Sequence, residues 1–126
     1  MAVQPQSTPS APPVAGPYSP AVRAGDWLVL AGQVGIDADG RLAAGVEEEA
    51  RQALQNVDAV LHDCGATLSD VAKTTVFVTD MGDFAAVNAV YASVFGRHRP
   101  ARSTVQVAGL PAGASVEIEV WAYVGS

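Results

Sequence analysis

The segment from Gly45 to Cys64 constrains the fold more than any other. Ala50, Ala53, Leu54, Val57, Val60, Leu61 and Cys64 recur at helical spacing on one face. Glu47, Glu48 and Glu49 occupy its first turn, where the helix macrodipole favours acids. Gly65 follows as a natural stop. The pattern predicts an amphipathic helix, and such a helix must bury its apolar stripe against another layer. A second stripe, Phe84, Val87, Val90, Tyr91, Val94 and Phe95, predicts another helix. Asp80 or Asp83 can cap its start, and Gly96 ends it.

Strands are expected at Trp27 to Gln33, Val71 to Thr79, Ser103 to Val107 and Val116 to Val124, with turns at Asp37-Ala38-Asp39-Gly40 and Leu110 to Gly113. The order is α+β. Two helices can cover one face of a sheet. Yet the first strand is apolar on both faces, with Leu28 and Leu30 on one and Trp27, Val29 and Ala31 on the other. Apolar residues on both faces call for cover on both. The expected second cover is another copy of the chain, which predicts a homo-oligomer with sites near subunit contacts.

The 126 residues suit a single domain. Composition divides them into a Pro/Ser-rich lead-in at 1–14, read as flexible or extended, and one folded domain at 15–126. Only 16% of residues are charged, which again suggests that surface is buried in an oligomer. The net charge of −6 argues against a general nucleic-acid binder, which needs a basic stripe. A local basic cleft is compatible with that balance, since Arg97, His98, Arg99 and Arg102 cluster. Cys64 is the single cysteine, so no intramolecular disulfide forms, and its place on the apolar helix face suits a core residue. His62 and His98 lack partners at metal-ligand spacing. Gly32 and Gly35 form no phosphate loop, because neither Lys-Ser/Thr nor a helix follows. No secretory signal and no membrane-length apolar stretch is present, so a soluble cytoplasmic protein is expected.

Charges stand out against this apolar background. Pro100-Ala101-Arg102-Ser103-Thr104-Val105 sets a guanidinium at the start of a strand, and Val116-Glu117-Ile118-Glu119-Val120 carries two carboxylates on one strand face. Arginine holds a carboxylate bidentately, and a glutamate can move protons. Together they suggest a site for a small carboxylated substrate. The alternative for Arg102 is an ion pair across a subunit contact, and for Glu117 a solvated strand face. Glu119 is read as solvated or as an inter-subunit pair.

Six motifs in order carry a family resemblance: Gly16-Pro17-Tyr18-Ser19-Pro20-Ala21-Val22; Ala31-Gly32-Gln33; Lys73-Thr74-Thr75-Val76-Phe77; Asp80 to Phe84 with Val87-Asn88 and Tyr91; Pro100 to Val105; and Val116 to Glu119. From about Tyr18 to Tyr123 the chain resembles the reactive-intermediate deaminases, the Rid or YjgF-type family. The resemblance implies a chorismate-mutase-like α+β fold, with a mixed sheet carrying two helices on one face, and a homotrimer with sites between subunits. It implies hydrolysis of imines or enamines, such as 2-aminoacrylate, 2-iminobutanoate and 2-iminopropanoate, to 2-keto acids and ammonia. It implies no metal and no cofactor. Arg102 would hold the substrate carboxylate, Glu117 would orient or activate water, and Tyr18, Gly32, Asn88 and Thr104 would line the pocket. Two positions depart from common versions of the motifs: Ala31 replaces a serine, and Thr104 stands where some members carry cysteine. The rival readings are a non-catalytic trimer that senses keto acids or amino acids, an endoribonuclease, and a chorismate mutase suggested by fold alone.

Overall fold

The computed structural model describes residues 2–125. One sheet forms the backbone of the fold. Its strands are β1 (Val3–Pro5), β2 (Ala21–Ala24), β3 (Trp27–Leu30), β4 (Gln33–Val34), β5 (Val71–Val78), β6 (Ala101–Gln106) and β7 (Val116–Tyr123). Their order is β1-β2-β3-β7-β5-β6, with β4 also paired to β7. Only β5 and β6 run parallel, so the sheet is mixed. The parallel pair is joined by the helix α2 (Phe84–Phe95), the crossover that parallel strands require.

The two α-helices, α1 (Val46–Asp63) and α2, form where the apolar stripes predicted them. Ala50, Ala53, Leu54, Val57, Val60 and Leu61 of α1 are buried against the sheet. Facing them are Leu28, Leu30, Val76, Val78, Val116, Ile118, Val120 and Ala122. Each fully buried aliphatic side chain contributes about 1.5–3 kcal/mol of hydrophobic stabilisation. Asn56 is the polar rivet in this layer: its Nδ2 donates to the carbonyls of Val34 (3.1 Å) and Ile36 (2.8 Å), pinning β4 to α1. Of the two aspartates expected to cap α2, Asp80 accepts from the Gly82 N–H at 2.8 Å and caps the 3₁₀ turn Met81–Asp83. Asp83 sits at the N-cap position without a side-chain bond.

The strand expected from Trp27 to Gln33 is broken. Val29 opposes Trp121 and Gln33 opposes Ile118, so β3 and β4 carry one residue more than the β7 segment between those pairs. The extra residue falls at Ala31-Gly32 and behaves as a bulge, which bends the strand and re-aims its neighbours. Within the Pro/Ser-rich lead-in, Val3–Pro5 is a paired strand: Val3 opposes Ala24 and Pro5 opposes Val22. β1 is an edge strand, where a proline without an N–H is tolerated. Neither β1 nor β2 shows a run long enough to be read from alternation.

The face of the sheet away from the helices is open. Alternation along β7 buries Val116, Ile118, Val120 and Ala122 and presents Glu117, Glu119, Trp121 and Tyr123. Trp27, Trp121 and Tyr123 are 38–46% exposed there, with Trp27 edge-on to both partners at centroid distances of 6.2 and 5.1 Å. This is the second apolar face anticipated from β3.

Candidate active site

Strand register places Arg102 and Glu117. Residues directly opposite each other in paired strands share a face of the sheet. Arg102 opposes Thr74 across β6 and β5, and Thr74 opposes Val120 across β5 and β7. Val120 and Thr74 are buried beneath the helices, so Arg102 and, two residues on, Thr104 point to the helix side. Glu117 opposes Phe77, which opposes Val105, on the open side. Arg102 and Glu117 of one chain therefore lie on opposite faces of one sheet.

Each lines its own cavity. The Arg102 cavity, about 320 Å³, is walled by Asn88, Tyr91 and Ala92 from α2 and by Arg99 and Pro100. The guanidinium lies 4.8 Å from the Tyr91 ring centroid and 5.6 Å from that of Phe84. Cation–π contact holds a guanidinium flat on a ring and leaves its edge free to donate. The platform is itself anchored, since the Tyr91 hydroxyl and buried Thr74 Oγ1 are hydrogen-bonded at 2.8 Å. Among the described residues no carboxylate pairs with Arg102; the ion pairs are Arg51–Glu48 and His62–Asp58.

The Glu117 cavity, about 110 Å³, is smaller and mostly apolar. Tyr18, Gly32 and Gln33 line it, with prolines and aliphatic residues from the N-terminal segment, β4 and the Pro111-Ala112 turn. Glu117 is its one charged lining residue. Burial, and then repulsion from Glu119 on the same strand face, push the Glu117 carboxyl above its ordinary value of 4.5. Gly32 permits this placement: a Cβ there would come within 2.7 Å of Glu117 Cδ. The bulge and the missing side chain thus make the slot in which the carboxyl lies.

Of the residues expected at one site, Arg102 and Asn88 meet in the first cavity, and Glu117, Tyr18 and Gly32 in the second. Thr104 shares Arg102's face without lining its cavity. Arg99 lines the Arg102 cavity, in keeping with the basic cluster read from the sequence, whereas Tyr91 as a platform for Arg102 and the N-terminal wall beside Glu117 were not anticipated. The sequence marked Tyr91 as part of an apolar stripe and of one family motif, without a role. Cys64 packs against the core as expected, and burial, then Asp63, raise its thiol pKa. Among the described residues no group of His, Cys, Asp and Glu gathers to hold a metal ion. No helix is long and apolar enough to cross a membrane.

The family model described as Endoribonuclease L-PSP matches residues 8–124. The chain belongs to this family. Among its L-PSP relatives, a RutC family protein from Pyrococcus horikoshii is 46% identical over 118 residues, 92% of this chain and 94% of that protein. The 2-iminobutanoate/2-iminopropanoate deaminase of Mus musculus is 46% identical over 121 residues, 94% of this chain and 90% of its own. The solved structure of a Rid family protein of unknown function from Yersinia pestis superposes with a TM-score of 0.93 at 44% identity, covering 98% of this chain and 100% of that one. The deaminase resemblance read from the six motifs and the L-PSP family match thus agree.

Proposed function

We propose that this protein hydrolyses imines and enamines of small 2-amino acids to 2-keto acids and ammonia, in a homotrimer whose sites are completed between copies. Such an enzyme is an imine/enamine deaminase, a hydrolase acting on a C=N bond. The observation that carries the proposal is a pair of complementary half-sites on opposite faces of one sheet. One offers a guanidinium on an aromatic platform, with no carboxylate partner among the described residues. The other offers a carboxyl whose pKa burial raises above its ordinary value, in an apolar slot. Identity of 46% to a protein named as a 2-iminobutanoate/2-iminopropanoate deaminase supports the same substrate class.

Arg102 binds the substrate carboxylate through two N–H donors, with Asn88 beside it, and so fixes the imine carbon. An enamine takes a solvent proton on carbon, or an imine one on nitrogen, and either gives the iminium ion C=NH2+ that water attacks. Glu117 of a neighbouring copy takes a proton from water as the water oxygen bonds to the imine carbon, and the C=N π electrons move to nitrogen. The product is a carbinolamine. Glu117 then gives its proton to nitrogen, the C–N bond breaks, and the hydroxyl proton returns to solvent as C=O forms. The net change is imine plus water to keto acid plus ammonia. A carboxyl with a raised pKa suits both halves of this transfer, because it is a stronger base when ionised and is readily reprotonated.

The test generates 2-aminoacrylate or 2-iminobutanoate in situ with a PLP-dependent dehydratase and follows keto-acid release with and without the protein. Acceleration that disappears in Arg102→Ala supports the deaminase. Tight binding of keto acids with no acceleration for any small imine would instead favour the non-catalytic sensing reading.

A further inference from the structure

We propose that the cavity beside Glu117 is the subsite for the substrate's alkyl side chain, and that the N-terminal strap Pro12–Ala15 is the wall that limits how long this chain can be. The inference rests on the deaminase reading and goes beyond it by assigning the specificity wall.

Three observations carry it. The first is chemistry. Pro12, Val14 and Ala15 line the cavity together with Ile36, Pro111 and Ala112, with Glu117 as the one charged neighbour. A lining of this kind accepts a hydrocarbon group and rejects a second acid, since Glu117 would repel it. At about 110 Å³ it falls well below the roughly 300–1,000 Å³ of sites for drug-sized ligands. It suits a short chain.

The second is the way the strap is held. Upstream, Asp63, the last residue of α1, clasps Ser10 twice. The Ser10 N–H donates to Oδ2 at 2.8 Å, and the Ser10 hydroxyl donates to Oδ1 at 2.9 Å. Downstream, the Pro20 carbonyl accepts from the Ala31 N–H at 2.9 Å, at the edge of the bulge that carries Gly32. Between these anchors run Pro12 and Pro13, whose rings fix φ and stiffen the span. A stiff strap fastened at both ends over a slot acts as a wall.

The third is the contrast with the Pro111-Ala112 part of the lining. Ala112 is the one non-glycine residue with positive φ among the described residues, at φ 60 and ψ 19. It sits in a turn closed by the Ala114 N–H donating to the Pro111 carbonyl. A residue with a Cβ stays in that conformation only where its surroundings impose it. The Ala112 side of the cavity is set by its own turn, so the strap and its clasp are where a change can move the wall.

The experiment measures kcat/KM for imines made in situ by an amino-acid oxidase from alanine, 2-aminobutyrate, norvaline and norleucine. Wild type, Val14→Ala, Asp63→Ala and the control Asp58→Ala are compared, each checked for native circular dichroism. Val14→Ala trims the wall, and Asp63→Ala opens the clasp without touching the cavity. Asp58→Ala removes an acid from α1 that has no bond to the strap. The norvaline-to-alanine ratio is expected to rise about three- to tenfold in the first two variants, because one methylene in a fitted pocket is worth roughly 10–200-fold. It is expected to stay at the wild-type value in the control. A ratio that moves in neither Val14→Ala nor Asp63→Ala, while wild type turns over the alanine imine, overturns the strap inference alone. Absence of turnover for every imine in wild type overturns the deaminase reading and this inference with it. A wild-type preference for the imine of aspartate over that of 2-aminobutyrate also overturns the subsite, by sending the side chain to the two guanidiniums of the other cavity.

Discussion

The Arg102 and Glu117 cavities are opposites on one sheet, the first beside β6 and α2 and the second beside β4 and β7. The first is open, lies on the helix side, and presents Arg99 and Arg102 with no acid. The second is small, lies on the open side of the sheet, and presents one carboxyl against apolar walls. Strand parity makes them incompatible within one chain: Arg102 aligns with buried Val120, whereas Glu117 alternates with it along β7. A chemistry that needs both groups has to draw them from two copies. The aromatic patch of Trp27, Trp121 and Tyr123 leaves apolar surface on the Glu117 side for such a contact.

The largest expected effect would break this comparison outright. Arg102→Ala and Glu117→Gln are each expected to lower kcat/KM by about 100-fold or more, the scale on which loss of one charge-stabilising group acts. Unfolding the two inactive variants together and refolding them should restore about a quarter of wild-type activity, because each junction then draws its arginine and its glutamate independently. If both groups came from one chain, no mixed assembly would recover any, and the two-copy site would be wrong.

Gly32→Ala sharpens the Glu117 side. The new Cβ meets the carboxyl end of Glu117, which can swing away. Activity should fall on the order of tenfold to 100-fold, as displaced catalytic groups do, with little change in Tm. A large drop in Tm with proportionate activity loss would show instead that Gly32 serves backbone packing.

Tyr91→Phe sharpens the Arg102 side. The ring under the guanidinium remains, but buried Thr74 loses its partner. Chemical denaturation should show a loss of about 1–3 kcal/mol, the range for an orphaned buried hydroxyl. Unchanged stability would mean that the hydroxyl pair does not anchor the platform.

The smallest effect is in the pH response. A folded-state pKa above 4.5 for Glu117 contributes stability below pH 4.5 that is lost as pH rises through the raised value. Glu117→Gln removes this titration, so the variant should gain Tm relative to wild type from acid toward neutral pH. Wild-type kcat/KM should fall on acidification at a pH above 4.5 as the carboxylate is protonated. A midpoint below 4.5 would indicate that a second copy's guanidinium dominates over burial.

Much of the fold was legible because local periodicity encodes it. The stripes of α1 and α2 and the alternation of β7 are short-range patterns, and they appear within a residue or two of their expected places. β1 and β2 were not legible, since strands of three and four residues hold too little alternation. The break at Ala31-Gly32 was missed because a strand apolar on both faces has no alternation to interrupt, and a bulge shows only against its partner strand. Arg102 and Glu117 were identifiable as chemical groups, rare charges in an apolar chain with ordered motifs around them.

The sequence by itself determined which segments are helices, which strands have a core face, and which residues bring the chemistry. Tertiary structure alone decided that Arg102 and Glu117 face opposite ways, that Tyr91 carries the guanidinium, and that a proline strap walls the carboxyl. The physical reason is range. Helical and strand periods repeat within a few residues, whereas a face is assigned through the register of β6 on β5 and of β5 on β7, between residues far apart in the chain.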